Sequence, residues 1–402
     1  MTIMKIGVYY VESSNADSEN INRYNRELVD RLAEMSGCDI SFVSLEEAKD
    51  QEMLLTFIGG GGTEGAFKAV LDQLPRPVFL LTTGFNNSLA ASMEILSYLQ
   101  QNDIKGEIIH GSEEKMAHRI AVLARVFAAK KKISRLRLGA VGKPSDWLIS
   151  SDVDAALSKQ TNGIELVDIS MEEFFTEIRK KEYEDNAWTE MIKAKKWHPE
   201  DTELCCEIYG ALKRLVTRYH LDGVTVRCFD LLGPIRGTGC LALAVLNAEG
   251  VYAGCEGDMP SLISMAVIGE LSGNPVFMAN PSRILSGSDE IIFAHCTLPL
   301  NMPTEIELMT HFESGLGVAF RGRIPEGPVT IFKTSGLLDR YFVRCGELKE
   351  NLTETNLCRT QIRIALKEED LNYFLTRSIG NHHLIVTGNH EEVVNEFFKW
   401  LR

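Results

Sequence analysis

The segment Cys255-Glu256-Gly257-Asp258 places two carboxylates directly after an apolar, strand-like run and just before a helix that begins near Pro260. Ligands of open α/β sheets bind at the carboxyl ends of the strands, so both carboxylates are candidates for a functional site. Asp258 also has a structural explanation, because an aspartate at this position caps the helix. Glu256 has no such role, and we interpret it as a residue that does chemistry.

Two histidine-containing stretches in the last third of the chain offer nitrogen ligands. His295 lies on an apolar, strand-like run, where a buried structural histidine is the alternative interpretation. His382 and His383 are adjacent, and their rings point to opposite faces if the chain is extended, so at most one of them faces a given site. A glutamate together with neutral imidazoles suits Mn²⁺, Co²⁺, Fe²⁺ or Zn²⁺. Two other histidines are expected to be surface or packing residues: His311 and His390.

The elements that must position these residues follow an α/β pattern through the first two thirds of the chain. Short β-rich runs alternate there with helical patterns, which predicts parallel sheets. After Pro281 the pattern changes to strands joined by short turns. We therefore predict two Rossmann-like parallel-sheet α/β domains followed by a mostly β, barrel-like C-terminal domain. The expected boundaries are 1–133, 134–285 and 286–402, with Glu256 in the central domain and the candidate histidines in the last.

A glycine run, Gly59 to Gly62, lies between a predicted strand and a predicted helix, where backbone N–H groups can receive an anion. It lacks the Gly-Lys-Ser/Thr ending of a phosphate loop, so a tight turn is favoured over a nucleotide site. Asn86, Asn87 and Ser88 occupy the same kind of position one unit later. Their amide and hydroxyl groups suit sugar hydroxyls, and a helix cap is the alternative interpretation.

The composition excludes several classes of function. The formal net charge of -14 argues against a nucleic acid partner, and the basic run Lys130 to Lys132 fits a solvated helix end. No apolar run approaches the roughly 18 residues that would span a bilayer, and the N-terminus lacks the features of a signal peptide. The nine cysteines form no CxxC pair, which speaks against a zinc ribbon or a secreted disulfide framework. We expect a cytoplasmic protein that binds neither membranes nor nucleic acid.

The chain resembles the L-fucose and L-arabinose isomerase superfamily, in order and over its whole length. The family's strand-ending Glu-x-Asp, followed by a helix and a second acidic ligand after a Val/Ser-Phe run, is similar to Glu256-Gly257-Asp258 followed by Val276-Phe277-Met278-Ala279-Asn280. The resemblance implies the three domains given above and a homo-oligomer, trimer or hexamer, with active sites near subunit boundaries. It also implies that the protein uses Mn²⁺, or another divalent metal, to interconvert aldoses and ketoses.

The resemblance further implies roles for single residues. Glu256 matches the first metal carboxylate, whereas Asn280 stands where the family has Asp or Glu. His383 is preferred over His382 as the C-terminal imidazole ligand, which leaves His382 as a substrate-binding candidate. His295 is similar to a further histidine ligand of the arabinose branch.

The stretch around Asn86, Asn87 and Ser88 resembles a Gly-Phe-Asn-Gly-Thr stretch of the fucose branch. In that branch the first domain of a neighbouring subunit helps to close the substrate cleft. The resemblance therefore implies that these three residues contact the substrate.

The reaction implied by the resemblance removes a proton from C2 of an open-chain sugar and returns it at C1, with a metal stabilising the enediolate. Glu256 is the candidate base. The candidates for the second proton-transfer role are Asp258 and Asp230, the latter at the end of a predicted strand. Asn280 can coordinate a metal through its carbonyl oxygen but cannot exchange a proton.

The leading prediction is thus a metal-dependent aldose–ketose isomerase, and three alternatives stay open. One is an inactive member of the family that binds a sugar as a sensor or regulator. Another is a lyase or epimerase that uses the same enediolate intermediate. The third is a nucleotide enzyme that uses the glycine run.

Overall fold

The computed structural model describes residues 4–12, 18–285 and 287–401 of the chain. The chain forms two compact units, Met1–Lys130 together with Asn395–Arg402, and Lys131–Val394. The finer division of the second unit at residues 285 and 286 stays a prediction.

The first unit is built on a five-stranded parallel sheet with the strand order β2-β1-β3-β4-β5. Strands β3 and β4 are buried along their whole length, as is typical of parallel strands with helices on both faces. Its elements are β1 (Lys5–Val11), α1 (Ser18–Ser36), β2 (Asp39–Phe42), α2 (Leu45–Ala48), β3 (Leu54–Ile58), α3 (Glu64–Val70), β4 (Val78–Leu81), α4 (Ser88–Gln101), β5 (Gly106–Ile109) and α5 (Glu113–Ile133).

The second unit begins with a four-stranded parallel sheet of order β7-β6-β8-β9. Its elements are β6 (Arg137–Val141), α6 (Ala155–Asn162), β7 (Glu165–Ile169), α7 (Met171–Ile178), α8 (Ala187–Ala194), α9 (Pro199–Tyr219), β8 (Gly223–Val226), α10 (Cys240–Ala248), β9 (Tyr252–Cys255) and α11 (Met259–Ser272). Strands β8 and β9 end side by side, because Val226 pairs with Cys255. The carboxyl edge of this sheet therefore carries the segment that follows Cys255.

The remainder of the second unit is a closed antiparallel barrel of six strands, in the order β10-β11-β16-β15-β14-β17, with a separate pair β12-β13. The elements are β10 (Phe277–Ile284), β11 (Glu290–His295), β12 (Glu305–Met309), β13 (Ala319–Arg323), β14 (Gly327–Thr334), β15 (Tyr341–Asn351), β16 (Thr360–Ala365), α12 (Glu368–Thr376) and β17 (His383–Thr387). The last helix, α13 (Glu391–Trp400), belongs to the first unit from Asn395 onward. Two parallel α/β layers followed by an antiparallel barrel confirm the predicted fold class.

Helix α11 joins the sheet of the second unit to the barrel. It packs against β8 and β9 on the sheet side and against β14 and β17 on the barrel side. Nearly every one of its residues is buried, which explains why its sequence is apolar all round rather than on one face. Its first turn carries the residues that follow Glu256, so the sheet edge, the helix start and the barrel meet at one place.

Helices α7 and α9 are joined by an ion-pair network around a buried carboxylate. Glu177 is only 3% exposed and pairs with three cations: Lys180, Arg214 and Arg218. Burial raises the pKa of Glu177, but the hydrogen bonds from these cations outweigh burial and lower it to about 2.

Within the described ranges of the chain, no helix is both long enough and apolar enough to cross a membrane.

Candidate metal and active site

Glu256 sits in a turn whose backbone is held in an uncommon conformation. Its φ is +61° and that of Gly257 is +69°. Glycine is required at 257, because a Cβ there would lie 2.5 Å from the carbonyl oxygen of Lys143. Two backbone hydrogen bonds fix the turn, from Ser145 N–H to Glu256 O (2.9 Å) and from Gly257 N–H to Val226 O (3.0 Å). A non-glycine residue held at positive φ by its surroundings is typical of functional sites.

Asp258 caps helix α11, as the sequence predicts. Its carboxylate accepts hydrogen bonds from the backbone N–H of Ser261 (2.9 Å) and from the Ser261 hydroxyl (2.6 Å). It also contacts Nδ1 of His382 at 2.8 Å. With only 1% of its surface exposed, Asp258 links the start of the helix to the barrel residue His382.

Three side chains converge beside this cap: Glu256, His295 and His382. All three are buried, and one potential ligand atom from each lies within 4.8 Å of the others. Nε2 of His382 is 3.7 Å from Oε1 of Glu256, and the two imidazole centroids are 5.2 Å apart. Nδ1 of His295 is engaged with the hydroxyl of Thr297 at 2.8 Å, so Nε2 is its remaining ring nitrogen.

Nε2 of His382 is buried and has no hydrogen-bond partner among the described residues. The 3.7 Å to Glu256 is too long for a hydrogen bond. Buried polar atoms without a hydrogen-bond partner are rare in folded proteins, and a metal ion bound at this nitrogen would explain this one. One carboxylate oxygen and two imidazole nitrogens form a suitable donor set for a divalent transition metal. Both histidines also bond through Nδ1 to an oxygen, as metal-ligating histidines do.

The charges of the cluster are strongly coupled. Burial lowers the pKa of His382, but its contacts with Asp258 and Glu256 outweigh burial and raise it to about 9. Burial and the neighbouring His382 lower the pKa of His295 to about 4. Burial raises the pKa of Glu256, but the effect of its neighbours His382, His295 and Trp147 is larger, and the net shift of the pKa is downward. In the absence of a metal, His382 therefore favours its charged form, and its positive charge is shared between Glu256 and Asp258.

Trp147 is a site residue that sequence reasoning missed. Its indole N–H donates to Oε2 of Glu256 at 2.6 Å, although the side chain is 53% exposed. Its ring packs edge-on against Phe229, with centroids 4.9 Å apart. Trp147 lies in a turn after β6 with no pattern around it, so no sequence signal could have found it.

The structure places His382 beside Glu256 and places His383 elsewhere. Nε2 of His383 contacts the hydroxyl of Tyr373 (3.0 Å), and its ring lies 5.0 Å from that of Phe374. Burial in this aromatic cluster lowers the pKa of His383 to about 3. Among the described residues it is thus His382, and not the preferred His383, that converges with Glu256 and His295, while the role of either histidine as a metal ligand stays a prediction. The reason is local, because β17 begins at His383 and turns its side chain away from Asp258.

Two further predicted residues have other partners. Asp230 forms an ion pair with Arg227 (3.0 Å), which also binds Asp146, and it is not part of the converging cluster. Asn280 lies on β10 opposite Ala294, and its Oδ1 accepts a hydrogen bond from the amide of Asn381 at 3.3 Å.

The predicted substrate contacts of the first unit lie at the start of α4. The Ser88 hydroxyl donates to Ile58 O (2.5 Å) and accepts from Thr83 N–H (3.1 Å), which are structural roles. Asn86 and Asn87 are exposed and have φ values of +53° and +56°. At Gly59 a Cβ would lie 2.5 Å from the hydroxyl oxygen of Tyr10, which is the close approach expected of a tight turn.

The fold and the buried carboxylate–imidazole cluster at a sheet edge define an α/β protein with an enzyme-like site. No family model matches the sequence. The chain is 23% identical over 336 residues to the sulfoquinovose isomerases of Priestia aryabhattai and of Priestia megaterium (strain ATCC 12872 / QMB1551), covering 78% of this chain and 74% of theirs. It is 24% identical over 192 residues to the sulfoquinovose isomerase of Clostridium sp. (strain MSTE9), covering 46% of this chain and 43% of that protein.

These similarities confirm the prediction of an enzyme of the sugar isomerase class, an intramolecular oxidoreductase. Metal dependence, the residue roles and membership of the L-fucose and L-arabinose isomerase superfamily stay predictions.

Proposed function

We propose that the protein is a metal-dependent aldose–ketose isomerase that acts on the open-chain form of a sugar through an enediolate. The observation that carries the proposal is the buried Nε2 of His382, which lies beside Glu256 and His295 and has no hydrogen-bond partner in the described part of the chain. Similarity to isomerases over most of the chain supports the reaction class. We also propose that the chain is a divergent member of the L-fucose and L-arabinose isomerase superfamily.

We propose Glu256, His295 and His382 as the metal-holding residues, with His382 in the place first given to His383. Asn280 stays a candidate for an additional oxygen donor. A bound divalent cation, Mn²⁺ in this proposal, would act as a Lewis acid. It would polarise the carbonyl group of the open-chain sugar and stabilise the negative charge of the enediolate.

The proton transfer itself falls to a carboxylate that the substrate can reach. Asp258 is enclosed by three hydrogen-bond donors and Asp230 by an ion pair. Glu256 differs, because its Oε2 accepts a hydrogen bond from the N–H of Trp147, a side chain that is itself exposed. We propose that Glu256 takes the proton from C2 and returns it to C1, while the hydroxyl proton of O2 passes to O1 as the carbonyl moves from C1 to C2. Aldose and ketose have the same atoms, so no oxidant is needed.

Trp147 has two roles in this proposal. Its N–H fixes the rotamer of Glu256, and its exposed ring offers an apolar plane to the C–H face of a sugar. An aromatic ring supplies a large apolar contact area without charge.

The substrate we propose to test first is sulfoquinovose, because the three similar proteins are named sulfoquinovose isomerases. The proposal also keeps a cytoplasmic homo-oligomer with active sites near subunit boundaries, to which Asn86 and Asn87 of a neighbouring copy would contribute.

The experiment is turnover by the purified full chain in D₂O, followed by NMR, with Mn²⁺ or with EDTA. The proposal expects a 2-ketose, formed only with the metal, from sulfoquinovose or another aldose of a broad panel. Deuterium should appear at C1 only to the extent that the proton held by Glu256 exchanges with the solvent before it is returned. Products other than the 2-ketose would favour the lyase or epimerase alternative. Sugar binding without turnover, and without any Mn²⁺ effect on thermal stability, would favour a sugar-binding regulator.

A further inference from the structure

Lys333 is a fully buried lysine in the wall of the barrel. It lies on β14 and is only 1% exposed. Its ammonium donates a hydrogen bond to the hydroxyl of Ser261 at 2.5 Å. Burial lowers the pKa of Lys333, and the nearby carboxylate of Asp258 opposes that shift by favouring the protonated lysine.

Lys333 begins a chain of hydrogen bonds that ends at the metal-site histidine. The ammonium donates to Ser261 Oγ (2.5 Å), and Ser261 Oγ donates to Asp258 Oδ2 (2.6 Å). The same oxygen of Asp258 faces Nδ1 of His382 at 2.8 Å. We call these four side chains the Lys333 chain.

The directions of the bonds in the Lys333 chain follow from its two charged members, the ammonium of Lys333 and the carboxylate of Asp258. An ammonium can only donate, so the Ser261 oxygen accepts from it and turns its own hydrogen toward Asp258. A carboxylate can only accept, so Nδ1 of His382 must carry the hydrogen in the last bond. Nε2 is then the ring nitrogen that faces Glu256 and His295.

We propose that Lys333 is a positioning residue: acting through Ser261 and Asp258, it sets the ring orientation and tautomer of His382 so that Nε2 is presented to the metal. The inference rests on the proposed function, in which His382 holds the cation. Outer partners of ligating histidines typically change metal affinity by about 10- to 100-fold when they are removed. Lys333 is two hydrogen bonds further from His382 than the direct partner Asp258. Within the Lys333 chain it is the member that can only donate, so the direction of its hydrogen bond to Ser261 is fixed.

Ser264 provides a matched control for the packing of α11 on β14. Like Ser261, it is fully buried on α11 and bonds to the same strand region. Its hydroxyl donates to Pro260 O (2.7 Å) and accepts from Thr334 N–H (3.1 Å). None of these bonds includes Asp258, so removing the Ser264 hydroxyl disturbs the helix–strand contact and leaves the Lys333 chain in place.

The experiment measures Mn²⁺ affinity of the full chain by calorimetry, for the wild type and for Lys333→Met, Ser261→Ala and Ser264→Ala. We expect Lys333→Met and Ser261→Ala to bind Mn²⁺ about tenfold more weakly, the lower end of the range for a direct outer partner such as Asp258. Ser264→Ala should keep the wild-type affinity even though its melting temperature falls. Should Lys333→Met fail to fold, Ser261→Ala carries the same test.

A second measurement reports the tautomer without activity. In protein labelled with ¹⁵N-histidine and loaded with Zn²⁺, the His382 signal of the wild type should show hydrogen on Nδ1 with slow exchange. In Lys333→Met and Ser261→Ala that hydrogen should exchange faster, and in Ser264→Ala it should not.

Equal Mn²⁺ affinity and equal exchange in the wild type, Lys333→Met and Ser261→Ala would overturn this inference and leave the proposed function intact. An equal loss of affinity in Ser264→Ala would also overturn it, because packing alone would then explain the effect. A wild-type protein that binds no cation would refute the proposed function, and this inference with it.

Discussion

Alanine substitution at two neighbouring histidines separates a metal ligand from a packing residue. His382 and His383 are both fully buried, so each truncation removes the same volume from the interior. We expect His382→Ala to weaken Mn²⁺ binding by at least about 100-fold, because losing only an outer partner of a ligating histidine costs about 10- to 100-fold. We expect His383→Ala to leave the Mn²⁺ affinity unchanged.

Both substitutions should destabilise the metal-free protein. His383→Ala leaves a cavity beside Phe374 and removes one of the two hydrogen-bond partners of the Tyr373 hydroxyl, which together cost about 2–4 kcal/mol. His382→Ala leaves Asp258 and Glu256 without their shared positive charge, and its cost is of the same order, about 3–5 kcal/mol. Stability without metal therefore does not distinguish the two histidines.

The assay is thermal or denaturant unfolding with and without Mn²⁺. At a concentration of about 100 times the wild-type Kd, binding stabilises the folded state by about 2.7 kcal/mol, and a 100-fold weaker site gains only about 0.4 kcal/mol. The wild type and His383→Ala should show the larger gain, and His382→Ala the smaller one. The reasoning is refuted if His382→Ala keeps the full gain while His383→Ala loses it.

Three further predictions concern single side chains. Glu256→Gln should lower kcat by about 10²- to 10⁴-fold with an unchanged circular dichroism spectrum, because the amide cannot take a proton; full activity would remove Glu256 from the reaction. Trp147→Phe keeps an aromatic ring but loses the N–H that donates to Glu256. We expect kcat/KM to fall about tenfold or more, since a hydrogen bond to a charged group contributes about 1.5–3 kcal/mol. An unchanged kcat/KM would mean that this bond has no role in turnover. Glu177→Gln should destabilise the protein by about 1–3 kcal/mol at pH 7. The folded pKa of Glu177 is lowered to about 2, so its stabilisation is complete above its unfolded pKa and is lost as the pH falls toward 2. Denaturant unfolding of wild type and variant from pH 7 to 3 measures this, and a difference that grows on acidification would contradict it.

The fold class and the two carboxylate residues of the candidate site, Glu256 and Asp258, could be predicted from the sequence. Alternating β and helical patterns determine parallel sheets, and the rule that sites lie at the carboxyl ends of strands pointed to Glu256. The cap at Asp258 was equally predictable, because Pro260 places the helix start. Local patterns were sufficient in both cases.

The choice between His382 and His383 could not be made from the sequence. Neighbouring residues of an extended chain face opposite sides, so the outcome depends on where the strand begins to within one residue. Strand β17 begins at His383, which leaves His382 just before it and within reach of Asp258. Strand boundaries are the least certain part of such predictions.

Lys333 and Trp147 escaped prediction for a different reason. Each acts through a partner that is distant in sequence: Lys333 contacts Ser261, 72 residues away, and Trp147 contacts Glu256, 109 residues away. Nothing near either residue in the sequence indicates these partners. Such contacts depend on how the sheet, α11 and the barrel pack together.

Closure of the barrel sets the order in which the site can be assembled during folding. Strand β17 closes the barrel by pairing with both β10 and β14, and His382 directly precedes it. His382 meets Asp258 across 124 residues of chain, so forming this contact closes a long loop and has an entropy cost. Until β17 has paired with β10 and β14, Glu256 and Asp258 lack the imidazole that contacts both of them in the folded protein. The three-residue cluster is thus complete only when the barrel has closed, and metal affinity would serve as a late marker in a refolding experiment.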